Sequence, residues 1–481
     1  NMLIWFVVLY LVASIGIGLY AATKVHNARD FVVAGRTLPF YVVAATVFAT
    51  WFGSETVLGI PAKFAKDGLG GIIEDPFGSS MCLVLVGMFF AARLYRMDLL
   101  TIGDYYRQRY NHSVEFATSL AIVASYLGWV SAQIVALGLV FNVLTGGAMT
   151  VQTGIVIGAG VVLIYTIYGG MFSVAWTNFF QMVIIVVGIL YIAWIVGDKA
   201  GGAGAVIEHA RAADKFTFWP EPKLRDVLWF AAAWVTMMFG SIPQQDVFQR
   251  VTSARTEKIA VWGAVVGGVA YFMFAFVPIF LAYSAALIDA QMVAEHVEKD
   301  PQYILPHLVL QHTPLFAQIM FFGALLSAIM STASGTLLAP SVTFTENILK
   351  GFLKKELSDN QFLWTMRGVV ACFAGIVTVF ALNSESSIYE MVGNAYKVTL
   401  VAAFVPLVCG LYWRRATTQG AACAIVLGLA TWIALEVANP AGLFPPQLAG
   451  LLAAVCGMLA GSLAPQWYGA GKAHPQRAAA A

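Results

Sequence analysis

Apolar residues in this chain gather into blocks long enough to cross a bilayer, which takes about 20 residues of helix. The blocks fall at about 2–22, 38–62, 72–94, 117–144, 151–170, 174–197, 226–249, 259–288, 304–349, 363–382, 387–412, 418–437 and 447–465. The pattern predicts an all-α polytopic membrane protein of about thirteen transmembrane helices. The 304–349 block is too long for one crossing, so an extra turn or a short interfacial helix is expected at one end. The first block, from Met2 to Ala22, has no basic residues before it and no small-residue cleavage site after it, and it reads as a span.

Polar positions interrupt two of these blocks in comparable places. The second contains Ala49-Thr50-Trp51-Phe52-Gly53-Ser54-Glu55, and the seventh contains Phe239-Gly240-Ser241-Ile242-Pro243-Gln244-Gln245-Asp246. Gly, Ser or Pro beside polar groups at membrane depth is the pattern of a broken helix whose freed backbone groups line a cavity. The two breaks lie five spans apart, as an inverted five-plus-five helix repeat would place them. The whole chain, 1–481, is expected to be one integral membrane transporter domain: an extra span at 2–22, a first repeat at 38–197, a second at 226–412 and two further spans at 418–465. Two ordinary Gly/Pro kinks are the structural alternative.

Composition agrees with this reading. Mean hydropathy is +0.78, and 60% of the 481 residues are hydrophobic while 11% are charged; soluble domains carry about 25% charge. A net charge of +2 gives no electrostatic reason to expect nucleic acid. The five cysteines, Cys82, Cys372, Cys409, Cys423 and Cys456, are far apart in apolar stretches and read as small core hydrophobes. Enzyme chemistry is not expected: there is no G-x-x-x-x-G-K-[ST] loop and no H-E-x-x-H, and the seven histidines sit mostly at loops and span ends.

Basic residues in alternate loops predict orientation. One set holds Lys24, Arg29, Arg36, Arg93, Arg96, Arg107, Arg109, Arg250, Arg255, Lys258, Lys350, Lys354, Lys355, Arg414, Arg415, Lys472 and Arg477. The other holds only Lys63, Lys66, Lys199, Arg211, Lys215, Lys223, Arg225 and Lys299. The richer set is expected in the cytoplasm of a multi-pass cell (inner or plasma) membrane protein, with the N-terminus outside and the C-terminus inside.

Three stretches in order resemble the solute:sodium symporters, the family of the sodium/glucose cotransporters and the bacterial proline permease. They are Tyr168-Gly169-Gly170-Met171-Phe172-Ser173-Val174-Ala175-Trp176-Thr177-Asn178 followed by Gln181, Ser327-Ala328-Ile329-Met330-Ser331-Thr332-Ala333-Ser334, and Gly410-Leu411-Tyr412-Trp413-Arg414-Arg415-Ala416-Thr417. The resemblance implies a LeuT-like two-repeat fold and sodium-coupled alternating access, with sodium ion, a small-molecule substrate and the lipid bilayer as partners and no obligate protein partner.

By this resemblance sodium would be held by the side-chain oxygens of Ser331 and Thr332 and the backbone carbonyls of Ala49, Phe52 and Ala328. The chemistry suits the ion, since carbonyls at the C-terminal end of a half-helix carry partial negative charge and lack helical partners. Bonding of both hydroxyls back to their own helix is the structural alternative. Relatives that move two sodium ions often have an aspartate where this chain has Asn178, so one coupled sodium is expected.

The segments around Trp51 and Gln244 look nearest to the choline-transporter branch, whose aromatic cage matches Trp51 and Trp129 here, with Gln244 where a third tryptophan would stand. An indole face attracts a desolvated cation by about 0.5–2 kcal/mol. Gln133, one turn from Trp129, and Gln245 add hydrogen-bonding groups, and Glu55, Asp246 and the Glu74-Asp75 pair add acids. An intramembrane carboxylate is costly unless paired or wet. The expected substrate-binding set is Trp51, Glu55, Trp129, Gln133, Gln244 and Asp246, and the expected cargo is an amine-bearing or cationic solute.

Each acid has a structural alternative: an i,i+4 pair with Arg250 for Asp246, a solvated vestibule or helix cap for Glu74 and Asp75, and a protonated or internally paired carboxyl for Glu55. Glu390 and Lys397 are candidates for a gate or internal ion pair. A neutral or zwitterionic cargo (amino acid, sugar or carboxylate) and a non-transporting sensor of the same fold are the competing functions.

Overall fold

The computed structural model describes residues 1–469; Lys472, His474 and Arg477 lie outside the described residues. The described chain is a set of helices joined by turns and loops, with one isolated bridge, Leu38 to Ala254. The helices used below are α1 Met2–Ala22, α2 Phe40–Trp51, α3 Glu55–Asp67, α4 Ile73–Arg96, α5 His112–Leu144, α6 Val151–Lys199, α7 Leu224–Gly240, α8 Gln245–Thr252, α9 Glu257–Ile288, α10 Leu315–Phe344, α11 Asp359–Asn383, α12 Ile388–Ala402, α13 Phe404–Tyr412, α14 Thr418–Ala438 and α15 Pro446–Leu463. Among the described residues, nine helices are long and apolar enough to cross a membrane, or up to twelve if each of three bent pairs is one crossing.

Both expected breaks are present. α2 and α3 meet at 52° and α7 and α8 at 45°. A third break, between α12 and α13 at 47°, is not among the expected two; it falls at Ala403, where Pro406 has no N–H to bond the Ala402 carbonyl. α6 is 49 residues long, about 74 Å if straight, against a hydrocarbon core of about 30 Å. It is not straight. Gly170 has φ 50° and ψ −134°, a conformation open to glycine, and the Phe31 carbonyl lies 2.4 Å from where a Cβ would sit. The long 304–349 block resolves into a separate helix, Ile304–His312, followed by α10.

α10 packs between α5 and α6, α1 lies along α6, α9 along α2, and α14 against α15. Residues 321–343 of α10 are buried apart from Gly323, so its hydroxyls meet protein rather than lipid. The cysteine expectation needs correction: Cys82 is buried, but Cys372 and Cys456 are exposed on outer faces of their helices. Among membrane helices such faces meet lipid, where a small weakly polar side chain costs little.

Candidate functional site

α2 ends because Phe52 leaves the helix, at φ −84° and ψ 77°, which turns its carbonyl out of the ladder. Ala49, one turn earlier, faces α10. The Ser331 hydroxyl lies 2.6 Å from the Ala49 carbonyl and 2.9 Å from that of Ala328, and the Thr332 hydroxyl lies 3.5 Å from the Ala49 carbonyl. The back-bond to Ala328 is the local alternative; the contact with Ala49, 282 residues away, is not local. Four oxygens share two hydroxyl protons, a donor set with more lone pairs than hydrogens and therefore suited to a small hard cation.

Gly53 joins this group to Glu55. A Cβ on Gly53 would lie 2.5 Å from Thr332 Oγ1, 2.6 Å from Glu55 Oε2 and 2.9 Å from Gln133 Oε1. Three polar groups from three helices thus converge on one point that only glycine leaves free. Glu55 is 2% exposed. Its Oε1 accepts from the Trp129 indole N–H at 3.1 Å and its Oε2 from the Gln133 amide at 2.7 Å. The Gln133 carbonyl in turn accepts the Ser54 N–H at 2.9 Å, a donor freed by the break. No basic nitrogen lies within 4.0 Å of Glu55 among the described residues, so both partners of this carboxylate are neutral.

The aromatics pack around this point. Trp51 and Trp129 meet edge to face with centroids 5.5 Å apart, Tyr396 lies 6.2 Å from Trp51 and 5.6 Å from Trp129, and Tyr126 stacks on Trp129 at 6.0 Å. All four are buried, and the Tyr396 hydroxyl has no hydrogen-bond partner. Tyr126 was legible in the sequence, three residues before Trp129 on the same helix face. Tyr271 had no sequence signal; its hydroxyl donates to Asp75 at 2.6 Å.

Several expectations change. The Asp246–Arg250 ion pair does not form. Asp246 Oδ2 accepts from the Trp51 indole at 3.1 Å, its other oxygen from the Tyr126 hydroxyl, and Arg250 instead donates to the Asp246 backbone carbonyl at 3.0 Å. Arg250, counted above among loop residues, is 1% exposed, because α8 runs back into the bundle. Gln244 does not border the indoles through a hydrogen bond; its amide donates to Ser125 at 3.0 Å and Thr399 at 3.3 Å. Gln245 turns the opposite way and accepts the Ile102 N–H at the start of the short Ile102–Arg109 helix, at 2.8 Å.

Asp75 is neither solvated nor a cap: it is 2% exposed, with Ser79 (2.5 Å) and Tyr271 donating to it. Glu74, Asp75 and Glu55 line one narrow cleft with Tyr389 and Gly393. Glu390 is exposed and forms a capping box with Ser387 at the start of α12, so it pairs with no lysine. A roomier cavity of about 170 Å³ lies apart, lined by Pro61, Tyr283 and other mostly apolar residues, and none of the expected site residues borders it.

The sodium:solute symporter family model matches residues 31–428. The human high affinity choline transporter 1 is 27% identical over 453 residues, covering 89% of this chain and 75% of that protein. The osmoregulated proline transporter OpuE of Bacillus subtilis is 24% identical over 481 residues, covering 94% and 92%. In three dimensions, a Na+-coupled sialic acid symporter solved in a substrate-bound outward-open state superposes with a TM-score of 0.79 at 20% identity, covering 97% of this chain and 98% of that one. The membrane helices, the two breaks and these matches agree: the chain is a multi-pass membrane transporter, not an enzyme, and belongs to the sodium:solute symporter family, whose members couple sodium to the movement of a small solute.

Proposed function

We propose that this chain imports a small organic solute bearing an amine or other positive charge, driven by sodium, by alternating access. The observation that carries the substrate class is Glu55: a buried carboxylate with only neutral donors, next to the Ala49–Ser331–Thr332 oxygens. A charge so placed is costly until a cation arrives. Sodium among those oxygens would tie α2 to α10 and attract the carboxylate across a short, dry gap, where the Coulomb term is strong. The free lone pairs of Glu55 then accept N–H bonds from an ammonium, with Trp51 and Trp129 offering ring faces beside it. Asp246 holds the Trp51 indole and Tyr126, and so positions the aromatic wall. Parting of the closed aromatics toward one side of the membrane at a time would be the alternating step.

In this reading α6 crosses twice, on either side of Gly170, which brings the crossings to about thirteen. They form two inverted repeats of five helices, with residues 38–197 and 226–412, flanked by α1 and by α14 and α15. The N-terminus lies outside and the C-terminus in the cytoplasm.

A zwitterionic solute is the second reading, favoured by the likeness to a proline transporter and by Gln244, whose amide sits on Ser125 and Thr399 where a third indole would complete a cage. The test is uptake into proteoliposomes with a sodium or a potassium gradient, preceded by a thermal-shift screen of amines, amino acids and sugars. Sodium-dependent stabilisation by amines is expected. Equal stabilisation in both salts overturns sodium coupling, and stabilisation by neutral sugars alone overturns the role given to Glu55.

A further inference from the structure

Arg367, on α11, is a partly exposed cation to which the protein offers little. Among the described residues its one hydrogen bond runs from Nη2 to the Tyr168 carbonyl, at 3.0 Å. Its Nε is buried without a partner, and no carboxylate oxygen lies within 4.0 Å of the guanidinium. A guanidinium keeps its charge and has five N–H donors to place. Arginines in membrane helices ordinarily face the bundle interior and pair there.

The neighbours of Arg367 are aromatic instead. The ring centroids of Trp364, Tyr168 and Phe31 lie 4.7, 5.5 and 5.9 Å from its guanidinium carbon. Trp364 is 55% exposed and Tyr168 45%, so this wall opens outward, and a Cβ added at Gly368 would meet nothing within 4 Å. On a membrane helix an outward face meets lipid. Helical side chains lean toward the N-terminal end of their helix, and the contact with Trp364, one turn back, has Arg367 doing so. Arg367 stands about 12 Å along α11 from Asp359, a depth from which a long cationic side chain snorkels to the headgroups. That end of the bundle is basic. The Ala28 N–H donates to Asp359 at 3.1 Å, which sets the start of α11 beside the segment following α1. Lys24 is exposed in that segment, Lys354 and Lys355 are exposed just before α11, and none of them pairs with an acid among the described residues.

We propose that Arg367, with the rings of Trp364 and Tyr168, is a headgroup site for an anionic phospholipid of the phosphatidylglycerol type. Phosphate oxygens accept the free guanidinium N–H groups, and the acyl chains lie along the outer face at Gly368. One uncompensated positive charge selects a lipid with a net negative charge over a zwitterionic one, whose own cation would find no acid here and ring faces already turned to the guanidinium. The site adjoins the break in α6: Tyr168 lies two residues before Gly170, and the Phe31 ring borders both Arg367 and the place of a Cβ on Gly170. The proposal holds whichever solute is carried.

The test uses the purified transporter in nanodiscs of phosphatidylglycerol and phosphatidylcholine in equal amounts, with one lipid or the other brominated on its acyl chains so that it quenches nearby indoles. The Trp364 signal is the difference between wild type and Trp364→Phe. Brominated phosphatidylglycerol is expected to be preferred at Trp364 about fivefold over brominated phosphatidylcholine. Arg367→Gln keeps an amide donor for the Tyr168 carbonyl and loses the charge, and its preference is expected to fall to about one. Equal quenching by the two lipids in wild type overturns the proposal and needs no variant at Arg367. An unchanged preference in folded Arg367→Gln overturns it as well. Relief of quenching by inorganic phosphate would assign the site to a soluble anion and also overturn it.

Discussion

At the α2–α3 break the buried carboxylate, Glu55, accepts from an indole and an amide with no buried cation one turn away, whereas at the α7–α8 break Asp246 accepts from an indole and a hydroxyl and the buried guanidinium of Arg250 lies one turn on. The first break keeps spare acceptor capacity beside freed backbone and helix-ending oxygens. The second sets a carboxylate and a guanidinium on the same helix: Asp246 holds two aromatics, and Arg250 donates to Thr50 of α2 and to the Asp246 backbone carbonyl. Two breaks alike in sequence pattern therefore differ in the charges they bring together. That difference in charge is why the proposed function places the ligand at the first.

The sharpest way to break this contrast is to remove the oxygens opposite the first break. Ser331→Ala with Thr332→Ala deletes two ligands at about 1.5–3 kcal/mol each, so the sodium half-saturation of uptake should rise by about 100-fold or more. Undiminished sodium-driven uptake would show that the two α10 hydroxyls are not sodium ligands. Next comes Glu55→Gln, which keeps the shape and loses the charge. Uptake of a charged amine is expected to fall about 10- to 100-fold, with neutral solutes hardly affected, measured as initial rates in proteoliposomes. An equal fall for both would make Glu55 structural.

The matched substitution at the other break, Asp246→Asn, should act on stability instead. Weakening the bonds to Trp51 and Tyr126 costs about 1–3 kcal/mol, visible as a lower Tm, while the preference for amine over neutral solute survives. Loss of that preference without loss of Tm would move substrate recognition to the second break. The smallest expected effect is a gain: Gln244→Trp restores a ring face and should tighten binding of a quaternary ammonium by about 0.5–2 kcal/mol, roughly 2- to 30-fold. Unchanged binding would place Gln244 outside the cage, in a structural role on Ser125 and Thr399.

Much of this was legible early. Gly53 and Pro243 marked the breaks because a helix cannot pass such residues at membrane depth without freeing backbone groups. Ser331, Thr332, Trp51 and Trp129 stand out in the sequence only through matched motifs, since nothing local separates a ligand-binding hydroxyl or indole from a packing one. The misreadings share a cause. Arg250 looked like a loop residue and an i,i+4 partner because sequence spacing says which groups can meet along one helix and nothing about what a second helix offers. Asp75 looked solvated because its partner, Tyr271, is 196 residues away. The bend at Ala403 has a proline signal, Pro406, but none of the polar residues that mark the other two breaks beside it.

The amino-acid order alone determines that the chain is a polytopic helical membrane protein, where its two main breaks fall and its family, because a bilayer forces every segment to satisfy its backbone within itself and so writes spans into local hydropathy. Only the tertiary structure decided which polar group meets which: Ser331 with Ala49, Glu55 with Trp129 and Gln133, Arg250 with Thr50 and not Asp246. Those choices join residues 74 to 282 positions apart. A buried charge takes whichever partner the packing brings within about 3 Å, and no local pattern encodes that distance.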